Sequence, residues 1–394
     1  RLLGGPMQER GKPVWLNIAF LFLSPVLALI LVPWWALTHD VGIAHFLATF
    51  ALWGITGIGI TAGYHRLFSH RSYRANAFVR AWYLLVGGAA WENSALQWCS
   101  DHRMHHRHVD TDRDPYNAQR GFWWSHMGWI LREGPTWQER GNVKDLEADP
   151  LVRFQEAYYL PITIAFNVGV PMVLGWLVND VWGMLIFAGL LRVVIVQHAT
   201  FFINSLAHIW GSRPWSREHS SRDNWFISYL TFGEGYHNYH HTFETDFRNG
   251  PRWWQFDPSK WVIWCLSKIG LAWDLKRMPV DLVLKKRFES QRNGLGLWLE
   301  QMGSRVEEFG DQLRREKVSV ARSLRIQLDD TQRRLETSLV ELRTARTRWL
   351  AAQRQRAVER GSLTAREVRA LERAFRNASR SVKASLREWE ALLA

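Results

Sequence analysis

Cysteine is nearly missing from this 394-residue chain, where Cys99 and Cys265 are the whole complement. Two thiols exclude a disulfide scaffold and a Cys-rich zinc site. Charge is missing from long stretches. Residues 15–37, 45–64 and 157–178 contain no Lys, Arg, Asp or Glu, and residues 182–203 carry only Arg192. At about 1.5 Å per residue, each stretch is long enough to cross the apolar core of a bilayer. Arg192 is then an intramembrane cation, which faces protein or water rather than lipid, either as a structural partner or as a neighbour of a site. Positive charge is missing from the two short links, residues 38–44 and 179–181, while every other connection has several basic groups. Basic residues stay on the cytoplasmic side. The four stretches therefore pair as two helical hairpins whose short links face out, leaving the N-terminus, the middle segment and everything after Ile203 inside. The first stretch has too long an apolar core for a signal peptide, and no small-residue cleavage site follows it.

What is present is equally uneven. Tryptophan occurs 24 times, and indole rings favour the bilayer interface, where an apolar body and one N–H are both satisfied. Lys and Arg exceed Asp and Glu by 50 to 37. From Gly303 onward the balance is 21 basic to 13 acidic side chains, so about +8 of the +13 excess lies there. In that tail Leu328, Leu335, Leu342 and Trp349 recur every seven residues, and Val368, Leu371, Phe375, Ala378, Val382, Ser385, Trp389 and Leu392 follow 3–4 spacing. Gly361-Ser362 breaks the run, and Thr364 with Glu367 has the capping-box pattern that starts a new helix. A helical hairpin or short coiled coil is expected, with a basic face that meets either solvent or anionic lipid. The chain is thus expected to be all-α, with a membrane part and its cytosolic helical cap in residues 1–302 and a helical extension in residues 303–394.

Histidine carries the chemistry. In "HRMHHRH", His102, His105 and His106 stand at i, i+3, i+4, and on a helix the last two are about 100° apart around the axis. That separation sends neighbouring imidazoles to two different metal ions. The spacing recurs in "HNYHH" as His237, His240 and His241. "HRLFSH" supplies His65 and His70, whose i, i+5 spacing is poor for one α-helical face and requires the helix to end or bulge. "NSLAH" sets Asn204 one turn before His208. A lone HxxHH is more often surface or capping histidine than a ligand, but four clusters past the inner ends of two hairpins point to a two-metal site. His39, His45, His108, His126, His198 and His219 lack the spacing.

Imidazole alone does not choose among zinc, copper, nickel and iron. A carboxylate-bridged di-iron bundle needs two Glu-x-x-His motifs, and Glu234 with His237 supplies one. About nine neutral ligands on two ions favour redox iron, which activates O2 for attack on an unactivated carbon. Beside a membrane that carbon belongs to a lipid chain.

Over residues 55–287 the chain resembles the membrane-bound acyl-CoA Δ9 desaturases of the stearoyl-CoA desaturase type, through "GITAGYHRLFSHRSY", "DHRMHHRHVDTDRDPYNAQRGFWWSHMGW", "NSLAHIWGSRPW" and "GEGYHNYHHTF". The resemblance implies four spanning helices and a cytosolic cap. It also implies a non-haem di-iron centre on His65, His70, His102, His105, His106, His208, His237, His240 and His241, with Asn204 binding one iron through water. In the family, O2 takes two electrons from an external donor and two from the C–H bonds broken, giving a cis double bond and two waters. Trp98 and Thr200 match residues that bend the acyl chain, and Glu92 stands where the family has Gln. Asn93 and Asp101 match head-group contacts. Where animal members place basic groups for the CoA phosphates this chain has Ser100, Glu133 and Gly134, with Arg132 adjacent, so acyl chains on phospholipid or on acyl carrier protein compete with acyl-CoA as substrate. Stepping back from His65 by turns passes Thr61, Gly57, Trp53 and Thr49; the three small residues are expected to leave room for a chain, and Trp53 to close the far end of the acyl tunnel. The tail shows no fused haem-binding domain, so the donor is expected to be a separate ferredoxin, rubredoxin or cytochrome b5 with its reductase. Lipid is the other expected partner and nucleic acid is not. A bacterial cell membrane is the expected location. A membrane hydroxylase or alkane monooxygenase uses similar clusters and is the alternative enzyme, and a metal transporter is the non-enzyme alternative.

Overall fold

The structure, a computed structural model, describes residues 11–134, 140–307, 311–358 and 364–393, with the side chains of 295–325, 357, 358 and 393 outside that description. Two compact units emerge, one of residues 11–213 and 218–277 and one of residues 214–217 and 278–393.

Four helices of the first unit are long and apolar enough to cross a membrane: Trp15–Thr38, Ile43–Ser69, Tyr159–Leu177 and Val181–Ile209. Their outward faces carry large apolar side chains such as Leu16, Leu29, Phe50 and Trp176, which water would not tolerate in such number and lipid does. Asp180, in the second short link, accepts from the Trp35 indole at 3.1 Å and meets His45 Nε2 at 3.0 Å. It also caps the fourth span by accepting from Gly183 N at 2.8 Å. His45 is therefore a tie between the two hairpins.

Arg192 is fully buried. It donates to the carbonyls of Ala89 at 2.9 Å and Ala188 at 3.2 Å, and to the Asn167 amide oxygen. These acceptors settle its role as a structural partner that holds the loop after helix Ala77–Gly88. That helix begins at Asn76, whose side chain accepts from Val79 N, the usual way of satisfying a free first-turn N–H. It lies close against the second span because both surfaces are stripped to glycine. A Cβ on Gly59 would come within 2.7 Å of Gly87 N, and one on Gly87 would strike the Tyr64 ring at 2.6 Å.

The second span does not end before its histidines. From Gly59 to Ser69 it widens into a π-helix, closed by His70 N donating to His65 O at 3.0 Å, an i→i+5 bond. Short π stretches are frequent at functional sites. This one turns the awkward i, i+5 pair into neighbours, with ring centroids 4.8 Å apart. Just beyond it, Arg74–Ala75 pairs antiparallel with Ala272–Trp273, matching Arg74 to Trp273 and Ala75 to Ala272. Helices Ala95–His108 and His237–Thr242 meet the histidine-bearing ends of the second and fourth spans, and helix Pro258–Lys268 packs on the second. Their core is continuous with that of the second span through Tyr64, Phe68, Leu96, Cys99 and Ile263.

The second unit is built on helices Val280–Glu307, Asp311–Val358 and Ala365–Leu393. The seven-residue repeat is its seam: Leu328, Leu335 and Leu342 are buried with Val382, Leu386 and Trp389. Trp349 stacks on Phe375 and Arg334 pairs with Glu388, so the two long helices run antiparallel. Leu284 and Phe288 enter the same core, which makes it a three-helix arrangement where a two-helix hairpin was expected. Thr364 and Glu367 close the capping box, with Glu367 N donating to Thr364 Oγ1 at 3.2 Å and Thr364 N to Glu367 at 2.7 Å. The break expected at Gly361-Ser362 lies outside the described residues.

Candidate metal centre

Helix Ala95–His108 is capped by Ser94, which accepts from Gln97 N, and it aims its last two turns inward. His105 and His106 point to different places, as their 100° separation dictates. His240 and His241 do the same. The nine histidines fall into two nests: His65, His70, His102, His106 and His240 in one, and His105, His208, His237 and His241 in the other. Within each, one nitrogen per residue lies within 4.8 Å of all the others.

The nitrogens that converge are the Nε2 atoms. His65–His240, His70–His102 and His106–His240 are separated by 2.9, 2.8 and 2.9 Å in the first nest. His105–His241, His208–His237 and His237–His241 are separated by 3.2, 3.1 and 3.1 Å in the second. A metal–imidazole bond is about 2.1 Å. Two such nitrogens lie about 3.0 Å apart at right angles and about 3.4 Å apart at the tetrahedral angle. The observed edges fit right-angle coordination, and five donors exceed the four that close a structural zinc site. The residues present fit two metal ions.

The outer ring atoms explain why the inner ones are free. His65 Nδ1 meets Glu234 at 2.9 Å, His105 Nδ1 meets Asp114 at 2.8 Å, His208 Nδ1 meets Ser220 Oγ at 2.7 Å, and His106 Nδ1 meets Glu244 at 3.3 Å. An Nδ1–H held by an oxygen leaves the Nε2 lone pair facing the metal position. Burial, reinforced by neighbouring imidazoles, holds His70, His102, His237, His240 and His241 well below the ordinary imidazole range. Burial also lowers His106 to about 4 against the opposing pull of Glu244. Neutral imidazoles are the form that binds metal.

Glu234, half of the single Glu-x-x-His pattern, is not among the inward donors. It joins Arg66 at 2.8 Å and accepts from the Asn249 amide at 2.5 Å, and Arg66 in turn meets Asp257 at 2.9 Å. Burial raises the Glu234 carboxyl, but His65 and Arg66 outweigh it and hold it below the usual carboxylate range. Sequence reasoning missed Glu234, Asp114, Ser220 and Glu244 as supports. The one available signal was the run of carboxylates in "HVDTDRD", directly after a ligand cluster.

A cleft reaches this centre, lined by Glu92, Asn93, Trp98, Asp101, His102, Thr200 and Asn204, with Phe20 and Leu21 on its wall. Trp98 stacks on His102 at 4.8 Å and 21°. Asn204 ends a helix of the fourth span and lines the cleft. Ser100 is buried and donates to Asn142 at 2.8 Å, and Arg132 donates to the Gly11 carbonyl at 3.2 Å. Neither lines the cleft. Trp53 lies outside it as well. Its indole packs 4.8 Å from the Phe232 ring, and the space expected beside Gly57 is filled by that ring, 2.1 Å from where a Cβ would stand. Thr61 likewise meets Ser259, at 2.5 Å.

The sequence profile described as fatty acid desaturase matches residues 41–264, which contain every histidine of both nests. The chain belongs to the fatty acid desaturase family. Among its relatives in the family, acyl-CoA desaturase 1 of Saccharomyces cerevisiae is 45% identical over 240 residues, covering 60% of this chain and 47% of the yeast protein. A probable acyl-CoA desaturase of Schizosaccharomyces pombe is 38% identical over 315 residues, 77% of this chain and 64% of that one. Stearoyl-CoA desaturase of Sus scrofa is 37% identical over 285 residues, 69% and 77% of the two chains. The chain thus spans about half the length of the first of these and under two thirds of the second.

Proposed function

We propose that the protein is a membrane-bound acyl-CoA desaturase that places a cis double bond, at the Δ9 position, in a saturated acyl chain. The observation that carries this reading is a cleft of mixed apolar and polar lining that reaches His102, a member of one of two nests of converging imidazoles. Two irons are the proposed occupants, held by the five and the four histidines, with Asn204 reaching one of them through water. When bound, such a pair supplies the means of reducing O2 with two electrons from a donor protein and two from the chain. The protein's own part is positioning. Glu234, Asp114 and Ser220 fix the ring orientations, and Trp98 with Thr200 bends the chain beside His102. Asn93 and Asp101 face the head group.

The relatives' names support an acyl-CoA substrate. Among the described residues the cleft has no Lys or Arg in its lining, which favours phospholipid or acyl carrier protein as the second reading for the carrier. A separate ferredoxin, rubredoxin or cytochrome b5 is the proposed donor. The short links free of Lys and Arg support a cytosolic site. The relatives named above are fungal and mammalian and lend no support to a bacterial source. The unit from residue 278 onward carries none of the histidines, consistent with an accessory role for the 303–394 extension in assembly or membrane association. The test is incubation of membranes containing the protein with labelled stearoyl-CoA, a donor system and O2. A cis-monounsaturated product supports the reading, and a hydroxylated product overturns it.

A further inference from the structure

A carboxyl group lies where a saturated chain has to bend. Glu92 lines the cleft beside Trp98 and Thr200, and its Oε2 accepts from the Trp98 indole at 3.2 Å. Thr200 also hydrogen-bonds it. Its Oε1 is buried and has no hydrogen-bond partner among the described residues. The backbone keeps it there. Trp91 and Asn93, on either side, have φ of 58° and 75°, a region that side chains such as these rarely occupy. Arg192 and Gln197 hold the loop by donating to the carbonyls of Ala89 and Trp91 at 2.9 and 3.2 Å. The loop thus fixes the backbone on either side of Glu92, and the hydrogen bonds from Trp98 and Thr200 hold its carboxyl in the cleft. An acyl chain that fills the cleft expels water from Oε1, and a carboxylate so stranded is costly where a neutral acid is not.

We propose that Glu92 is a selectivity residue of the acyl cleft, admitting a saturated chain only over its protonated carboxyl, so that chain binding draws in a proton under alkaline conditions. This rests on the desaturase reading above. Even without a chain, burial pushes the Glu92 carboxyl up to about 8, against the hydrogen bonds from Thr200 and Trp98. The other titratable groups about the cleft are Asp101 and His102 on helix Ala95–His108, and Tyr116. Tyr64 and Tyr159 also interact with Glu92 electrostatically. The fourth span offers Gln197, Thr200, Phe201 and Asn204 to the cleft and the first offers Asn17, Phe20 and Leu21, none of them titratable. On the fourth span Arg192 is turned to the Ala89 carbonyl, and His198 to His126 at 3.0 Å. A glutamine at this position would be neutral at every pH and could not select in this way.

The experiment is calorimetric titration of stearoyl-CoA into the purified full-length holoprotein without an electron donor. It runs from about pH 6.5 to about pH 9.5 in two buffers of different ionisation enthalpy, on wild type and Glu92→Gln, with the variant subtracting protons that belong to the CoA head group. The wild-type affinity is expected to fall by up to about tenfold per pH unit above about 8, with up to about one more proton taken up than by Glu92→Gln, whose profile lacks that fall. Tight binding by wild type with no such fall and no extra proton overturns the proposal while leaving the acyl reading in place, and that result does not depend on the variant folding. No binding of stearoyl-CoA at any pH overturns both.

Discussion

Replacing Glu234 with Gln tests whether the oxygens behind the histidines govern the metal centre. One Glu234 oxygen serves Arg66 at 2.8 Å, and the other faces His65 Nδ1 at 2.9 Å and the Asn249 amide at 2.5 Å. Gln keeps the shape and one acceptor but loses the charge, and its NH2 must confront either Arg66 or the His65–Asn249 side. Arg66 still has Asp257 at 2.9 Å. The guanidinium is not stranded, and the stability loss stays below the roughly 3–5 kcal/mol of a broken buried ion pair. Removal of a carboxylate behind a ligating histidine costs about 10–100-fold in metal affinity or activity, or roughly 1.4–2.8 kcal/mol. The assay is the rate at which a chelator strips iron from purified Glu234→Gln. One iron, that of the five-histidine nest, should leave faster, while the other, oriented by Asp114 and Ser220, keeps its wild-type rate. Asp114→Asn should show the mirror image. Equal loss from both nests, or wild-type resistance in both variants, refutes the reasoning. The same carboxylate gives a pH sign. Its folded value is depressed, so its stabilisation is complete above the unfolded value of about 4.3 and is lost as pH falls through the folded one. Acid should therefore mimic Glu234→Gln.

Metal analysis of purified protein should find two irons per chain, and His106→Ala should abolish turnover while leaving membrane insertion intact. One zinc and no iron after iron-replete expression would contradict this. Leu335→Ala removes a fully buried side chain from the seam of the second unit and should destabilise that unit by about 2–5 kcal/mol without changing iron content. Protease sensitivity confined to the extension is the readout. Deleting residues 303–394 should leave both irons and desaturation in detergent largely intact, and a folded, iron-loaded but inactive product would refute the assigned division of labour. Trp53→Ala, and more strongly Trp53→Ala with Phe232→Ala, should shift preference toward longer chains, by about 0.8 kcal/mol for each newly buried methylene. An unchanged chain-length profile in both counts against a role for Trp53 in ending the tunnel.

Three uncharged stretches, a fourth with a single Arg and one seven-residue repeat made the spans and the second unit's seam legible, because a bilayer and a helical interface each impose a pattern that one short stretch of sequence can display. The nests were partly legible for the same reason. His105 and His106 diverge because a helix turns 100° per residue, wherever it is in the fold. His65 and His70 required a bulge that the spacing demanded, but its form, a π stretch of eleven residues from Gly59 to Ser69, depends on bonds that spacing does not contain. The supports were not legible. Glu234 reaches back to His65 across 169 positions, and nothing local distinguishes a carboxylate that orients an imidazole from one that binds metal. Phe232 defeated the expected row of small residues for the same reason: Gly57 looks like open space until a distant ring is seen to occupy it.

Two of the four spans lead into the histidines they carry, the second continuously and the fourth through a turn at Ser205. Ile43–Ser69 contains His65 of one nest, and Val181–Ile209 contains His208 of the other. The height of the two histidine nests above the lipid is therefore set largely by helical rods, at about 1.5 Å per residue where they are α-helical, with a single turn at Ser205 to absorb a mismatch. A bilayer thicker or thinner than these rods is met by helix tilt, at fractions of a kcal/mol per Å, and tilt would move one ligand of each nest together. The same protein in a thinner and a thicker membrane would then set His65 and His208 at different positions within their nests. Lipid composition would then act back on the geometry of the site.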